Sequence, residues 1–155
     1  MPGRGRLTVL DAYAVIAYLR GEPCADEVAD LLRRPAILTS INAAEVRDQM
    51  VRVFGADADG MEADLALLCP AGLTVQAVTH ELGMQAGRIR ARRYHRECAA
   101  VSLADCAAAA AALAIDSPLA TSDPALADVL RSEGAKSSRF RTARANGPKH
   151  RCSFR

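Results

Sequence analysis

The chain has 155 residues, half of them hydrophobic, which suits one folded domain and excludes a wholly disordered chain. Aromatic residues make up only 4% while alanine is abundant, so helices packed closely on a sheet are expected rather than a β-sandwich, whose strands favour β-branched and aromatic side chains. The net charge of +2 is unevenly spread: from Ala135 onward there are seven Lys or Arg and no acid, leaving thirteen basic residues against eighteen acids before it.

No apolar run approaches the roughly 20 residues of a membrane span. Arg4 and Arg6 precede a single short apolar stretch, without the hydrophobic region of a secretion signal. A cytoplasmic protein that does not enter a membrane is expected. The cysteines (Cys24, Cys69, Cys98, Cys106, Cys152) form no C-x-x-C pair, so free and mostly buried thiols are expected rather than a zinc site.

In chain order, Leu7 to Leu10 (L-T-V-L) is a short unbroken apolar run of the kind buried on both faces of a sheet, with Asp11 at its end. Ala12, Val15, Ile16 and Leu19 then recur at helical spacing until Gly21-Glu22-Pro23. A second helix is expected from Cys24 to Arg34, and a second strand over Ala36 to Thr39. Ser40 or Asn42 can cap a helix running to Phe54, with Glu45 in its first turn. Met61, Leu65 and Leu68 mark a helix closed by Pro70 and Gly72, and Leu73 to Gln76 a third strand.

Thr79 can cap the next helix, which carries Leu82, Ala86 and Ile89 and runs into five arginines between Arg88 and Arg96. Arg88 and Arg92 of that run are candidates to meet phosphates, against a solvated helix face whose Arg stems lie over apolar surface. Val101 to Ala114 is an alanine-dense helix, broken at Ser117-Pro118 and followed by a short strand at Leu119 and Ala120. A last helix spans Pro124 to Ser132 and stops at Gly134. Strands alternating with helices predict a mostly parallel sheet with helices on both faces. The basic segment 135–155 shows neither helical nor strand periodicity, so the domain is expected over 1–134 with a poorly ordered tail behind it.

Asp11, Glu45, Asp105 and Asp123 each follow an apolar strand or open a helix, and in a parallel α/β sheet those positions line the carboxyl edge, where ligand sites form. Singly, each reads as a cap: Ser102-x-x-Asp105 is a capping pair, and Asp123-Pro124 is an acid N-cap with proline behind it. Together, four acids on one edge repel one another unless a cation sits among them. Oxygen donors without His or Cys suit magnesium or manganese, which can activate water and stabilise charge growing on a phosphoryl group. Asp48 and Arg52 are spaced to pair on a helix surface. The three histidines make no triad with a nucleophile-elbow serine. A haloacid dehalogenase would need a second aspartate where Tyr13 stands.

The four blocks L-T-V-L-D-A-Y-A-V-I-A-Y-L, T-S-I-N-A-A-E-V, V-S-L-A-D-C-A-A-A-A-A-A-L-A and L-A-T-S-D, in this order, resemble the PIN domain, and more narrowly the VapC toxins of bacterial toxin–antitoxin pairs. The resemblance runs from Leu7 to Gly134. It implies a three-layer α/β/α sandwich with a central parallel sheet and an endoribonuclease dependent on Mg2+ or Mn2+. It further implies an RNA substrate, a cognate antitoxin of the VapB kind inserting near the site, and a homodimer. By position, Asp11, Glu45, Asp105 and Asp123 match the family's acids, and Ser122 its small hydroxyl residue beside the last of them. Family members commonly end on a further β-branched strand, which the segment after Gly134 does not resemble. The competing expectation is a non-catalytic binding module whose acids only cap helices.

Overall fold

The computed structural model describes residues 7–97, 99–134 and 137–139, the last three by their main chain. Thr8–Leu10 forms β1, which is buried throughout. It is followed by α1 (Ala12–Leu19), α2 (Ala25–Leu32), β2 (Ala36–Thr39), α3 (Ser40–Asp48), α4 (Ala58–Ala71) and β3 (Leu73–Gln76). Then come α5 (His80–Arg93), α6 (Leu103–Ala114), β4 (Leu119–Thr121), α7 (Pro124–Ser132) and β5 (Ser137–Arg139).

The strands lie in the order β3-β2-β1-β4-β5, and every pairing between them is parallel. Each strand is three or four residues long, so alternation assigns few side chains to each face. Leu10, Leu38, Leu73 and Ala120 face one apolar layer with Val15, Ile16 and Val28 of α1 and α2 and with Met61 and Leu68 of α4. Val9 and Leu119 face the other, with Leu82 and Ile89 of α5, the alanines of α6 and Leu126, Val129 and Leu130 of α7. Helices therefore cover both faces of a parallel sheet, and the expected three-layer α/β/α architecture is present. Ala108, Ala109 and Ala112 are fully buried; a methyl is all that projects from α6 there, so the helix backbone lies close to its neighbours.

Three local features differ from the sequence reading. Thr39 caps α3, so the helix opens at Ser40 and Glu45 falls beyond its first turn. The helix expected to continue to Phe54 changes to a π-helical stretch over Gln49–Val53, where Phe54 N–H donates to Gln49 O at 3.2 Å. Pro70 sits inside the last turn of α4, and Gly72 ends it with φ 126. A Cβ at that glycine would lie 2.9 Å from Leu32 O.

Beyond Gly134, where the sequence has no strand pattern, the main chain of β5 pairs with β4 from Leu119↔Ser137 to Thr121↔Arg139. An edge strand is held by its ladder, which side-chain periodicity does not report. The rest of the tail, 140–155, lies outside the described residues, as do Cys98 and Cys152. Cys24 and Cys106 are buried free thiols and Cys69 is an exposed one. Among the described residues no helix is long and apolar enough to cross a membrane.

Candidate functional site

The strand register sets the site. Leu10 is level with Leu38 of β2 and with Ala120 of β4, so the next residues, Asp11, Thr39 and Thr121, end three adjacent strands at one edge. Asp11 leaves β1 in extended conformation and caps α1, its Oδ1 accepting Ala14 N–H at 2.7 Å. It is 2% exposed. Burial pushes its carboxyl from 3.8 up to about 7, with Asp105 and Asp123 adding repulsion and hydrogen bonds from Thr121 and Ala14 pulling the other way.

Asp105 belongs to a complete capping box at the start of α6: Ser102 N–H donates to its Oδ2 at 2.7 Å, and its own N–H donates to Ser102 Oγ at 3.0 Å. Its carboxyl is raised by burial and by Asp123, against the two Ser102 hydrogen bonds. Glu45 is half-buried on α3 and is raised by burial and then by Asp105, while Gln49 and Asn42 donate to it. Asp123 is exposed and caps α7 through Ala125 N–H, 2.8 Å from its Oδ1.

The four acids foreseen in the sequence are thus electrostatic neighbours. They grade from buried Asp11 through half-buried Glu45 and Asp105 to Asp123 at the solvent. The cap leaves the second oxygen of Asp123 without a described hydrogen bond.

Two buried polar residues that local patterning missed hold this edge together. Thr121 is fully buried; its Oγ1 accepts Asp123 N–H at 3.0 Å and its hydroxyl donates to Asp11. The Thr121 hydroxyl thus links Asp11 to Asp123, as that of Ser102 meets Asp105; Ser122, the residue singled out from the sequence, is half-buried one position after Thr121. Asn42, also fully buried, donates from Nδ2 to Ala104 O at 3.2 Å across 62 positions of chain. Local pattern carries no trace of either contact; the one available signal is a polar residue within an otherwise apolar buried stretch.

The arginine run is largely engaged. Arg92 and Arg93 pair with Glu133 at 2.8 Å and 2.7 Å, and Arg93 also donates to Ser132 O at 2.9 Å, which satisfies an orphan carbonyl at the end of α7. Arg90 donates to Val101 O at 3.1 Å and lies over the Tyr94 ring. Arg88 is exposed on α5. The surface pair foreseen at Asp48 and Arg52 is present, at 2.7 Å.

The donor set suits a hard cation in kind and in charge. The influences that dominate Asp11, Glu45 and Asp105 are burial, hydrogen bonds and other carboxylates, and none is a lysine or arginine. The side chains stand in an open array: among the described residues no three His, Cys, Asp or Glu groups converge closely enough to hold a metal ion as they are.

Several solved structures share this fold at low identity. VapBC2 from Rickettsia felis, bound to a DNA fragment from its promoter, is 14% identical, with a TM-score of 0.65 over 87% of this chain and 99% of that one. The Mycobacterium tuberculosis toxin VapC20, described as cleaving the Sarcin-Ricin loop, is 18% identical, with a TM-score of 0.61 over 78% of this chain and 93% of that one. A toxin–antitoxin complex from Klebsiella pneumoniae is 13% identical, with a TM-score of 0.57 over 75% and 86%. No curated protein matches the sequence. The PIN domain family model matches residues 8–131, a span that begins at β1 and ends in α7 and so takes in all four acids. With its parallel sheet and acids at the strand ends, the chain belongs to the PIN domain family.

Proposed function

We propose that the chain is an endoribonuclease dependent on Mg2+ or Mn2+ and acts as the toxin of a type II toxin–antitoxin pair. The observation that carries this reading is a buried carboxyl, Asp11, raised to about 7 at a strand-end edge it shares with Asp105 and Asp123. Asp11 meets repulsion from Asp105 and Asp123, and Asp105 from Asp123, a juxtaposition that helix capping does not require and that a bound cation would relieve. The likeness in fold to proteins named as toxins supports the biological role and an antitoxin as partner; a second copy of the chain is part of the proposal.

In this reading Asp11, Glu45, Asp105 and Asp123 hold the cation through carboxylate oxygens. Bound there, it would supply Lewis acidity toward a phosphoryl oxygen and favour ionisation of water for attack. The caps fix one oxygen of Asp11, Asp105 and Asp123, so each carboxylate is oriented before binding. Thr121 holds Asp11 from the sheet side, and Asp11 releases its proton on binding, which makes affinity rise with pH. The burial gradient leaves Asp123 at the mouth, where an RNA strand can approach, and exposed Arg88 is available to a phosphate in a way that Arg92, paired with Glu133, is not.

RNA cleavage should vanish with EDTA and return with magnesium or manganese; cleavage that persists under chelation refutes the metal. Expression should arrest growth, with rescue by a small neighbouring gene. The realised caps favour a second reading, a non-catalytic binding module. Asn caps about as well as Asp, so unchanged cleavage by Asp11→Asn would favour a role for that acid in capping alone.

A further inference from the structure

We infer that Asn42 is a positioning residue, a clasp that keeps Glu45 and Asp105 at one site although they sit on different helices. Nothing in the capping pattern requires it. Thr39 already caps α3, accepting Asn42 N–H at 3.2 Å, so the amide side chain is left to act elsewhere. It is fully buried, and each of its polar groups is used. Oδ1 accepts the Thr39 hydroxyl at 2.5 Å. One N–H of Nδ2 donates to Ala104 O at 3.2 Å, and the amide also donates to the Glu45 carboxylate. An amide has two N–H donors and a carbonyl acceptor, so a single side chain meets α3's cap, α3's acid and the first turn of α6.

Ala104 directly precedes Asp105. The contact to its carbonyl therefore fixes how far the α6 start, and Asp105 with it, stands from Glu45. Those two carboxylates repel each other, and without a tether α6 can relieve the repulsion by moving away. A neutral donor is suited to the place: a lysine or arginine there would neutralise the site and compete with a cation, whereas an amide binds both partners without adding charge. The apolar packing of α6 is supplied mainly by alanines and is not directional, so a directional bond at the helix start has a distinct role.

This inference rests on the metal reading above, and its test separates the two. Mn2+ binding is measured by calorimetry at one pH on the wild type, Asn42→Ala and Thr39→Val, with Val28→Ala as a control on α2, a helix that carries none of the four acids. Residues that orient metal ligands typically change affinity by about 10- to 100-fold. Asn42→Ala should weaken Mn2+ by about tenfold or more. Thr39→Val, which loses the hydroxyl that both holds Oδ1 and caps α3, should weaken it less while also lowering the melting temperature, and stands in for Asn42→Ala if that variant does not fold. Val28→Ala should lower the melting temperature and leave Mn2+ affinity as in the wild type. Wild-type affinity in the folded Asn42→Ala and Thr39→Val proteins would overturn the clasp while leaving the metal site standing, and so would an equal loss in Val28→Ala. A wild type that binds no Mn2+ would overturn the metal reading and the clasp with it.

Discussion

Replacing Asp11 by Asn should make the metal-free protein more stable at alkaline pH, which is the reverse of what losing a buried hydrogen-bonded side chain ordinarily does. The folded carboxyl sits at about 7 against an ordinary 3.8, so the folded chain holds this proton more tightly than the unfolded chain does. Because the folded value is the higher one, the resulting stabilisation is complete below 3.8 and is lost as pH rises to about 7. At about 1.4 kcal/mol per tenfold change in proton affinity, Asp11 alone accounts for a loss of ~4 kcal/mol across that window. Glu45 and Asp105 are raised in the same direction and steepen the slope. Asp48 and Glu133 are lowered, with Arg52 and the Arg92–Arg93 pair donating to them; their stabilisation is lost on acidification, starting at the acid end of the window, and is common to the wild type and Asp11→Asn.

Asn keeps the cap on Ala14 and removes the ionisation. Urea unfolding in EDTA should therefore find the two proteins within about 1 kcal/mol near pH 4 and Asp11→Asn ahead by up to ~4 kcal/mol at pH 8. Manganese at pH 8 should restore the wild type and do much less for the variant. A wild-type stability that does not fall between these pH values, or a variant equally destabilised at both, would refute the account of Asp11 as a carboxyl whose burial, with repulsion from Asp105 and Asp123, raises its proton affinity.

Two further outcomes concern the frame around the site. Thr121→Val removes the hydroxyl between Asp11 and Asp123 N–H at nearly constant volume; it should cost about 1–3 kcal/mol and push the Asp11 carboxyl higher, followed by carboxyl-carbon NMR titration. An unmoved Asp11 titration would show that Thr121 does not hold it. Gly72→Ala places a Cβ 2.9 Å from Leu32 O at φ 126, and should cost more than about 1 kcal/mol in thermal unfolding; an unchanged melting temperature would show that the α4–β3 corner can open.

Much of the fold was legible because the core strands are short unbroken apolar runs, and Leu7 to Leu10, Ala36 to Thr39 and Leu73 to Gln76 have no polar residue that forces another reading until their ends. The acids were legible for the same reason: a strand that terminates on Asp11, or a Ser102-x-x-Asp105 pair, announces a helix start in local sequence. The illegible parts depend on contacts made across the chain. Asn42 and Thr121 are small polar residues whose partners are assembled by the sheet and by α6, and neither partner is set by spacing. β5 was missed because Ser137–Arg139 is held by pairing of main chain with β4. The arginine run hid the reverse situation: Arg92 and Arg93 look like a phosphate patch until Glu133 at the end of α7 is brought beside them.

The central claim is that acids which cap helices at this edge also build an RNA-cleaving site, and Asp105→Asn tests it most directly. Asn at this position can keep the Ser102 contact while losing a carboxyl whose proton affinity burial raises, so in EDTA at neutral pH the variant should be folded and no less stable than the wild type. The measurement is a map of newly formed RNA ends in cells expressing either protein. The account predicts discrete ends with the wild type that are absent with Asp105→Asn; the same ends from both proteins would contradict it.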